Sequence, residues 1–364
     1  TPSFVDLRRR PDGTYPENPF QVSNPLQTAA LARNDESVYR FIGAFNVTLD
    51  ALNRGGHDLR FLVNGGADFF NQKNIIYSPE DLQYEPTDGF AGLTLLGTTY
   101  NTNLNINANA VHTYTPSSAA FTATTSIGVQ YEYWDQDVTR ALTEDLFAGQ
   151  RNVGSGTRNQ VEEARSRSKD LGVFAQEEFL WNDRLLLTFG MRAERSSNNA
   201  FVDEWYYYPK AAASYRFTEL MPGLVEEVKL RGAWGQSGNQ PRYGQKFINL
   251  NPGSIAGVQT LLLGTTTVAQ DLRPERQTEI EGGFDAYFFN NRASIEFTAY
   301  QRKFDDLLLN RALPPSTGYT TALYNMGGQM TVTGQEVAAM VIPVQTENFS
   351  WTSRATFSRD RSVI

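Results

Sequence analysis

The chain has no cysteine, only two histidines, and no hydrophobic run long enough to cross a membrane as a helix. Without cysteine there is no disulfide framework and no thiolate metal site. The longest apolar run, Val337 to Val344, is interrupted by Pro343, whereas a spanning helix needs about 20 residues. A strand crosses with only about 9–11, so strands remain open. Basic charge is in deficit: 32 Lys and Arg against 40 Asp and Glu give a net charge of −8, which argues against a nucleic-acid binder held by phosphate contacts. No initiator Met, basic n-region or apolar signal segment opens the chain. Thr1-Pro2-Ser3 reads as loop, and the chain ends just beyond a strand at Arg361-Ser362-Val363-Ile364. The expectation is an internal piece of a longer polypeptide.

Alternation is what the chain has in plenty. Between Tyr100 and His112, Asn101, Asn103, Asn105, Asn107 and Asn109 fall on every second position, with Leu104, Ile106 and Ala108 between them. Side chains alternate faces along a strand, so this segment has one amide face and one apolar face. The pattern recurs. A strand over 38–52 sets Tyr39, Phe41, Phe45, Val47 and Leu49 against Arg40, Asn46, Thr48 and Asp50. One over 57–70 sets Leu59, Phe61, Val63 and Phe69 against Arg60, Asn64 and Asp68, and one over 120–134 sets Ile127, Val129 and Tyr131 against Ser126, Gln130 and Glu132.

Asn182-Asp183 and Asn290-Asn291 suit tight hairpin turns. The first joins an apolar set of Leu171, Val173, Phe179 and Trp181 to one of Leu185, Leu187, Phe189 and Met191. Further strands are expected over 207–217, 228–234, 331–342 and 349–357. Glu177 is the one charge on an apolar face. The connections expected to be short (53–56, 114–118, 182–183, 219–225, 290–291, 343–348) alternate with longer ones (71–98, 135–168, 196–205, 236–274, 304–329). Aromatics gather near strand ends, where an amphipathic ring suits a headgroup region. Together these predict an all-β fold, an antiparallel transmembrane β-barrel, apolar toward lipid and polar toward a wet lumen, with short turns on the periplasmic side.

Several stretches resemble the SusC/RagA group of TonB-dependent outer-membrane transporters. Leu272-Arg273-Pro274-Glu275-Arg276-Gln277-Thr278-Glu279 runs on to G-G-F-D-A-Y-F-F-N-N-R from Gly282. Asp306-Leu307-Leu308-Leu309-Asn310 with L-P-P-S-T-G-Y from Leu313, and L-R-G-A-W-G-Q-S-G-N-Q-P from Leu230, add to the likeness, as do Asn24-Pro25-Leu26, Arg40-Phe41-Ile42-Gly43 and N-F-S-W from Asn348. The resemblance implies a plugged barrel of about 22 strands, of which this chain supplies about twelve. Residues 1–37 would be an extracellular loop region and 38–364 a partial barrel, with signal peptide, plug and C-terminal strands absent.

The resemblance further implies location in the cell outer membrane, of Gram-negative type, and contact with outer-membrane lipid. It implies import of an oligosaccharide or peptide nutrient beneath a SusD-like surface lipoprotein, driven by the TonB complex through an N-terminal segment missing here. Nucleic acid is not among the expected partners. A passive porin and a soluble β-rich glycan-binding module remain as alternative readings.

No catalytic constellation stands out, and the expectation is a protein that is not an enzyme and uses no cofactor or metal. Glu162-Glu163, Glu177-Glu178 and Asp305-Asp306 are adjacent pairs, which on a strand point to opposite faces; the first is expected in a charged loop. Gly154-Ser155-Gly156 lacks the lysine-serine pair of a phosphate loop. The functional surface is expected on the polar faces: the ladder Asn101 to Asn109, with Arg40, Arg60, Arg192, Glu194 and Arg231, facing the lumen toward substrate or plug. Trp134, Trp205 and Tyr206 are expected at the extracellular rim, where aromatic faces stack on sugar rings.

Overall fold

The computed structural model describes residues 4–85, 89–118, 120–147 and 149–364, with the side chain of residue 219 left aside. Thr1-Pro2-Ser3 and parts of the connections at 71–98 and 135–168 therefore lie outside the described residues. A short helix, α1 (Pro25–Leu31), precedes the strands. These are β1 (Arg33–Arg54), β2 (His57–Ser78), β3 (Leu93–Tyr114), β4 (Phe121–Leu146), β5 (Gly156–Trp181), β6 (Leu185–Ser196), β7 (Tyr206–Met221) and β8 (Val225–Asn239). There follow β9 (Leu250–Ile255), β10 (Val258–Leu263), β11 (Thr266–Val268), β12 (Glu275–Phe288) and β13 (Ala293–Asp305). The last are β14 (Leu308–Ala312), β15 (Thr321–Asn325), β16 (Met330–Gln345) and β17 (Ser350–Val363).

Twelve strands form one sheet in chain order, β1 to β8 and then β12, β13, β16 and β17. Every strand expected from the alternation is present. β9 pairs with β10, and β11, β15 and β14 make a separate three-stranded sheet, inside the two longest connections. The hairpin turns expected at Asn182-Asp183 and Asn290-Asn291 carry positive φ angles of 47° and 54° and of 55° and 63°, and the short connection at 53–56 turns through Gly55 and Gly56 at +63° and +82°. Long connections still alternate with short ones, which is the barrel pattern.

The strands outrun the sequence reading at one end. β4 and β5 run through the connection expected over 135–168 and leave only 147–155 outside the ladder, while β2 and β3 narrow 71–98 to 79–92. Glu162-Glu163, expected in a loop, lies on β5. The reason is electrostatic: Arg158 pairs with Glu144 at 3.2 Å, Arg165 with Asp137 at 3.4 Å and Arg167 with Asp135 at 2.7 Å, each a bridge between β5 and β4. Charges that read as loop taken singly support a ladder when the neighbouring strand carries the opposite sign.

The chain divides into two compact units, residues 1–44, 66–104 and 133–167, and residues 45–65, 105–132 and 168–364. In the first, Asn24 is fully buried. It caps α1 by accepting from Leu26 N at 2.9 Å and Gln27 N at 3.2 Å, and its amide donates to Leu7 O and Pro16 O, both at 2.9 Å. Gln27 then ties α1 to Asp81 O at 2.7 Å, beside the buried Leu82.

The second unit has its hydrophobicity on the outside. Few of its apolar side chains are buried, whereas Phe45 is 51% exposed, Ile106 44%, Val129 39% and Phe357 61%, and Leu187 is half-buried. A water-soluble sheet protein would fold such residues into a shared interior. Among the described residues, no helix is long and apolar enough to cross a membrane.

Candidate functional site

Residues opposed in an antiparallel ladder share a face, so the register of the second unit tests the two-faced reading strand by strand. On one face Leu185 meets Tyr215, which meets Leu230, which meets Phe284, then Phe297, Val337 and Phe357 in turn. On the other, Ser214 meets Arg231, Asp285 meets Glu296, and Glu279 meets Arg302. Along the first row, from β6 to β17, apolar opposes apolar, while the second face carries the charged and hydroxyl side chains, with exceptions such as Arg302 opposite Val332. Glu177, one of the charges on the apolar face, accepts from Thr125 Oγ1 at 2.6 Å, which lowers the cost of holding it there.

The polar face is laced by hydrogen-bonded arginines. Arg192 pairs with Glu194, two residues along β6, and reaches across to Gln130 Oε1 at 2.9 Å. Arg231 contacts Asp285 at 3.2 Å and donates to Thr298 Oγ1 at 2.6 Å; Arg302 binds Glu279 at 2.9 Å. Near the turn end Arg60 meets Asp50 at 3.0 Å and Asp58 at 3.4 Å. Arg40, in the other unit, binds Asp68 through two hydrogen bonds of 2.8 and 2.6 Å.

The asparagine ladder divides between the units. Asn101 is buried and Asn103 exposed in the first; Asn105 is exposed, and Asn107 and Asn109 are half-buried, in the second. Asn109 and the Phe174 ring close over Gly128, where a Cβ would stand less than 3 Å from that ring. Sequence reasoning missed Phe174 as an aromatic on the polar face, although its position between Val173 and Ala175 carries that signal. Arg192 and Glu194 separate two grooves of about 330 and 290 Å³, the first lined also by Phe174, Tyr208 and Lys210, the second by Glu132, Asp170 and Gln240.

Of the expected rim aromatics, the structure brings Trp205 and Tyr206 together in a recess of about 260 Å³ with Arg273, Glu275 and Asp306. Arg195 lies over the Trp205 ring at 5.2 Å, and the Tyr206 hydroxyl donates to Glu204 at 3.3 Å. Trp134 is half-buried on β4 and belongs to the other unit. Beside this rim, burial pushes the Lys246 ammonium below its usual pKa while it donates to Ser197 O at 2.6 Å and Asn199 O at 3.1 Å. Lys246→Ala is expected to free this loop, seen as faster proteolysis within 240–264 with no change in barrel assembly.

The two histidines, distant in sequence, meet: His57 Nδ1 and His112 Nε2 are 3.1 Å apart, and Tyr114 stacks on His57 at 4.4 Å. The imidazole rings lie within 10° of parallel with centroids 5.3 Å apart, an in-line arrangement that suits a shared N–H···N bond. Among the described residues no group of three or more potential ligands gathers to hold a metal.

Comparison with known proteins decides the family. Residues 3–363 match the family described as TonB dependent receptor-like, beta-barrel. The chain belongs to this family of TonB-dependent receptor barrels. It is 25% identical over 94% of its length to TonB-dependent receptor P26 of Formosa agariphila, and 24% identical over 94% to TonB-dependent receptor SusC of Bacteroides thetaiotaomicron, covering 35% and 34% of those proteins. It thus spans about a third of the curated relatives it matches. Among solved structures, the RagAB peptide transporter superposes with a TM-score of 0.84 at 16% identity, covering 97% of this chain and 40% of that one. The SusC/RagA likeness read from the motifs is met in both comparisons. The TonB-dependent receptor barrels are outer-membrane proteins, so the apolar face described above belongs to outer-membrane lipid.

Arg231→Ala in this barrel is expected to cost no more than about 1 kcal/mol, because Lys229 stays 3.9 Å from Asp285. A small shift in the temperature of heat-induced unfolding on gels would show it.

Proposed function

We propose that this chain forms part of the wall of a plugged outer-membrane transporter that imports an oligosaccharide or peptide nutrient with energy supplied through TonB. Residues 38–364 would be barrel and 1–37 extracellular. A SusD-like surface lipoprotein would cover the loop end, and the plug and the TonB-contacting segment would come from the rest of the polypeptide. The observation that carries the reading is the two-faced register, with an unbroken apolar row from Leu185 on β6 to Phe357 on β17 and charged side chains gathered on the opposite face. A solvated polar wall beside a lipid-facing one is what a transport barrel requires.

In this reading the amides of Asn101 to Asn109, each donor and acceptor, together with Arg40, Arg60, Arg192, Glu194 and Arg231, face plug or substrate. Trp134, Trp205 and Tyr206 would offer ring faces to sugars at the rim. No step of bond making or breaking is assigned to the chain. The test is uptake of labelled oligosaccharides and of labelled peptides by cells with and without the gene. Uptake of one class should depend on the gene and stop when an uncoupler collapses the proton-motive force. Gene-dependent uptake that survives the uncoupler would identify a passive porin instead.

A further inference from the structure

The ladder steps down sharply from β5 to β6. β6 ends at Ser196, opposite Asp170. One residue further, Lys169 N donates to Ser197 Oγ and Lys169 O accepts from Ser197 N, both at 2.9 Å. There the pairing on that side of β5 stops. Among the described residues, Gly156 to Arg167 are paired on one side alone, with β4. β4, β5 and β6 are consecutive inner strands, so the step belongs to the ladder itself. Backbone groups alternate sides along a strand. Lys169 turns its own toward β6, so Thr157, Asn159, Val161, Glu163, Arg165 and Arg167 turn theirs to the open side.

Open edges are ordinarily blunted by proline, bulges or outward charges. No proline interrupts residues 157–171. The charges are turned back onto β4: Arg158 to Glu144 at 3.2 Å, Arg165 to Asp137 at 3.4 Å and Arg167 to Asp135 at 2.7 Å. The Thr157 hydroxyl donates to Asp145, and Asn159 Oδ1 accepts from Thr143 Oγ1 at 2.8 Å. Gln160 and Glu162 bond each other at 2.8 Å. Residues 157–165 are exposed. What remains on offer is main chain, N–H and C=O repeating about every 7 Å over about 33 Å.

Such a row is matched by another extended polypeptide, which adds itself as a strand. A glycan offers hydroxyls without that repeat of donor and acceptor. A folded protein partner needs large buried anchors at the centre of its interface, and Val161, 71% exposed, is the one large apolar side chain between 156 and 167. Binding through the main chain tolerates any side-chain sequence, as a nutrient peptide requires. We infer that the open edge of β5 on the long-loop side captures peptide cargo as an added strand. This rests on the importer reading and selects peptide from its two nutrient classes.

The test titrates the full-length protein, purified from outer membranes in a neutral detergent, with a fluorescent threonine-rich peptide of about eleven residues. The peptide should bind, its fully N-methylated form should not, and a neutral oligosaccharide should not compete. V161P/E163P removes two outward donors at positions where an edge strand accepts proline. It should assemble and weaken binding at least about tenfold, whereas Val161→Thr should bind as wild type does. If V161P/E163P does not assemble, the N-methylated peptide on the wild-type protein still decides. Equal binding of the N-methylated peptide, wild-type affinity in V161P/E163P, or displacement by the oligosaccharide would overturn the inference. So would failure of the peptide to bind while a surface lipoprotein co-purifies with the wild type and not with V161P/E163P, which would give the edge to that protein. The titration needs no TonB, so it can fail while uptake stays energy-dependent, and uptake that survives the uncoupler would sink the importer without touching the edge.

Discussion

Phe45→Arg is expected to abolish assembly of the barrel in the outer membrane. Phe45 is 51% exposed on the apolar face of β1, and its ring lies over Gly65 of β2, within 3 Å of where a Cβ there would stand. An arginine near the middle of the hydrocarbon costs about 2–4 kcal/mol on a barrel's lipid face. The cover over Gly65 would be lost as well. Val129→Arg on β4 should act in the same direction for the first reason alone. Asn105→Ala, exposed on the polar face of β3, should assemble normally. The readout is the heat-modifiable gel shift of the membrane fraction. Equal assembly of all three variants would contradict the assignment of faces.

The second large effect belongs to Gly56, in the turn joining β1 to β2. Its φ is +82°, a region that L side chains enter with strain of about 1–2 kcal/mol. A Cβ there would also run into the carbonyl oxygen of Thr115. That carbonyl cannot withdraw easily, because Thr115 N donates to Gly56 O at 2.8 Å and holds the two segments together. Gly56→Val should therefore accumulate as unassembled protein. Its neighbour Gly55 has φ +63° but nothing within 4 Å of a built Cβ, so Gly55→Ala should show the strain alone and still assemble. If both glycines tolerated substitution equally, the contact with Thr115 would not be a constraint on the fold.

The sheet was legible in the sequence because each strand must obey two solvents at once. Tyr39, Phe41, Phe45, Val47 and Leu49 alternate with polar residues, since one side meets hydrocarbon and the other water. The turns at Asn182-Asp183 and Asn290-Asn291 were legible because few residues accept their φ. Beyond the apolar belt that logic stops. Both faces of β4 and β5 past Tyr133 and Lys169 meet water, so polarity no longer distinguishes strand from loop, and only the partner's charges, such as Asp135 opposite Arg167, reveal the ladder.

The polar face was legible as a face but not as a set of contacts. Arg192 with Glu194 is visible at a spacing of two along one strand. Arg192 with Gln130, Asn109 beside Phe174, and His57 beside His112 depend on registers between strands that alternation alone does not set. The small sheets of β9 and β10, and of β11, β14 and β15, were hidden in connections for the same reason: their pairings are local to the loops and answer to no lipid belt.

The absence of cysteine from the chain makes the central claim directly measurable. Single cysteines placed at each position from Ser126 to Glu132 would carry a spin label, read in the assembled protein with a lipid-soluble and a water-soluble relaxing agent. Labels at Ile127, Val129 and Tyr131 should respond to the lipid-soluble agent, and those at Ser126, Gln130 and Glu132 to the water-soluble one, with a period of two. A uniform response along β4, or the opposite phase, would mean that this face never meets hydrocarbon.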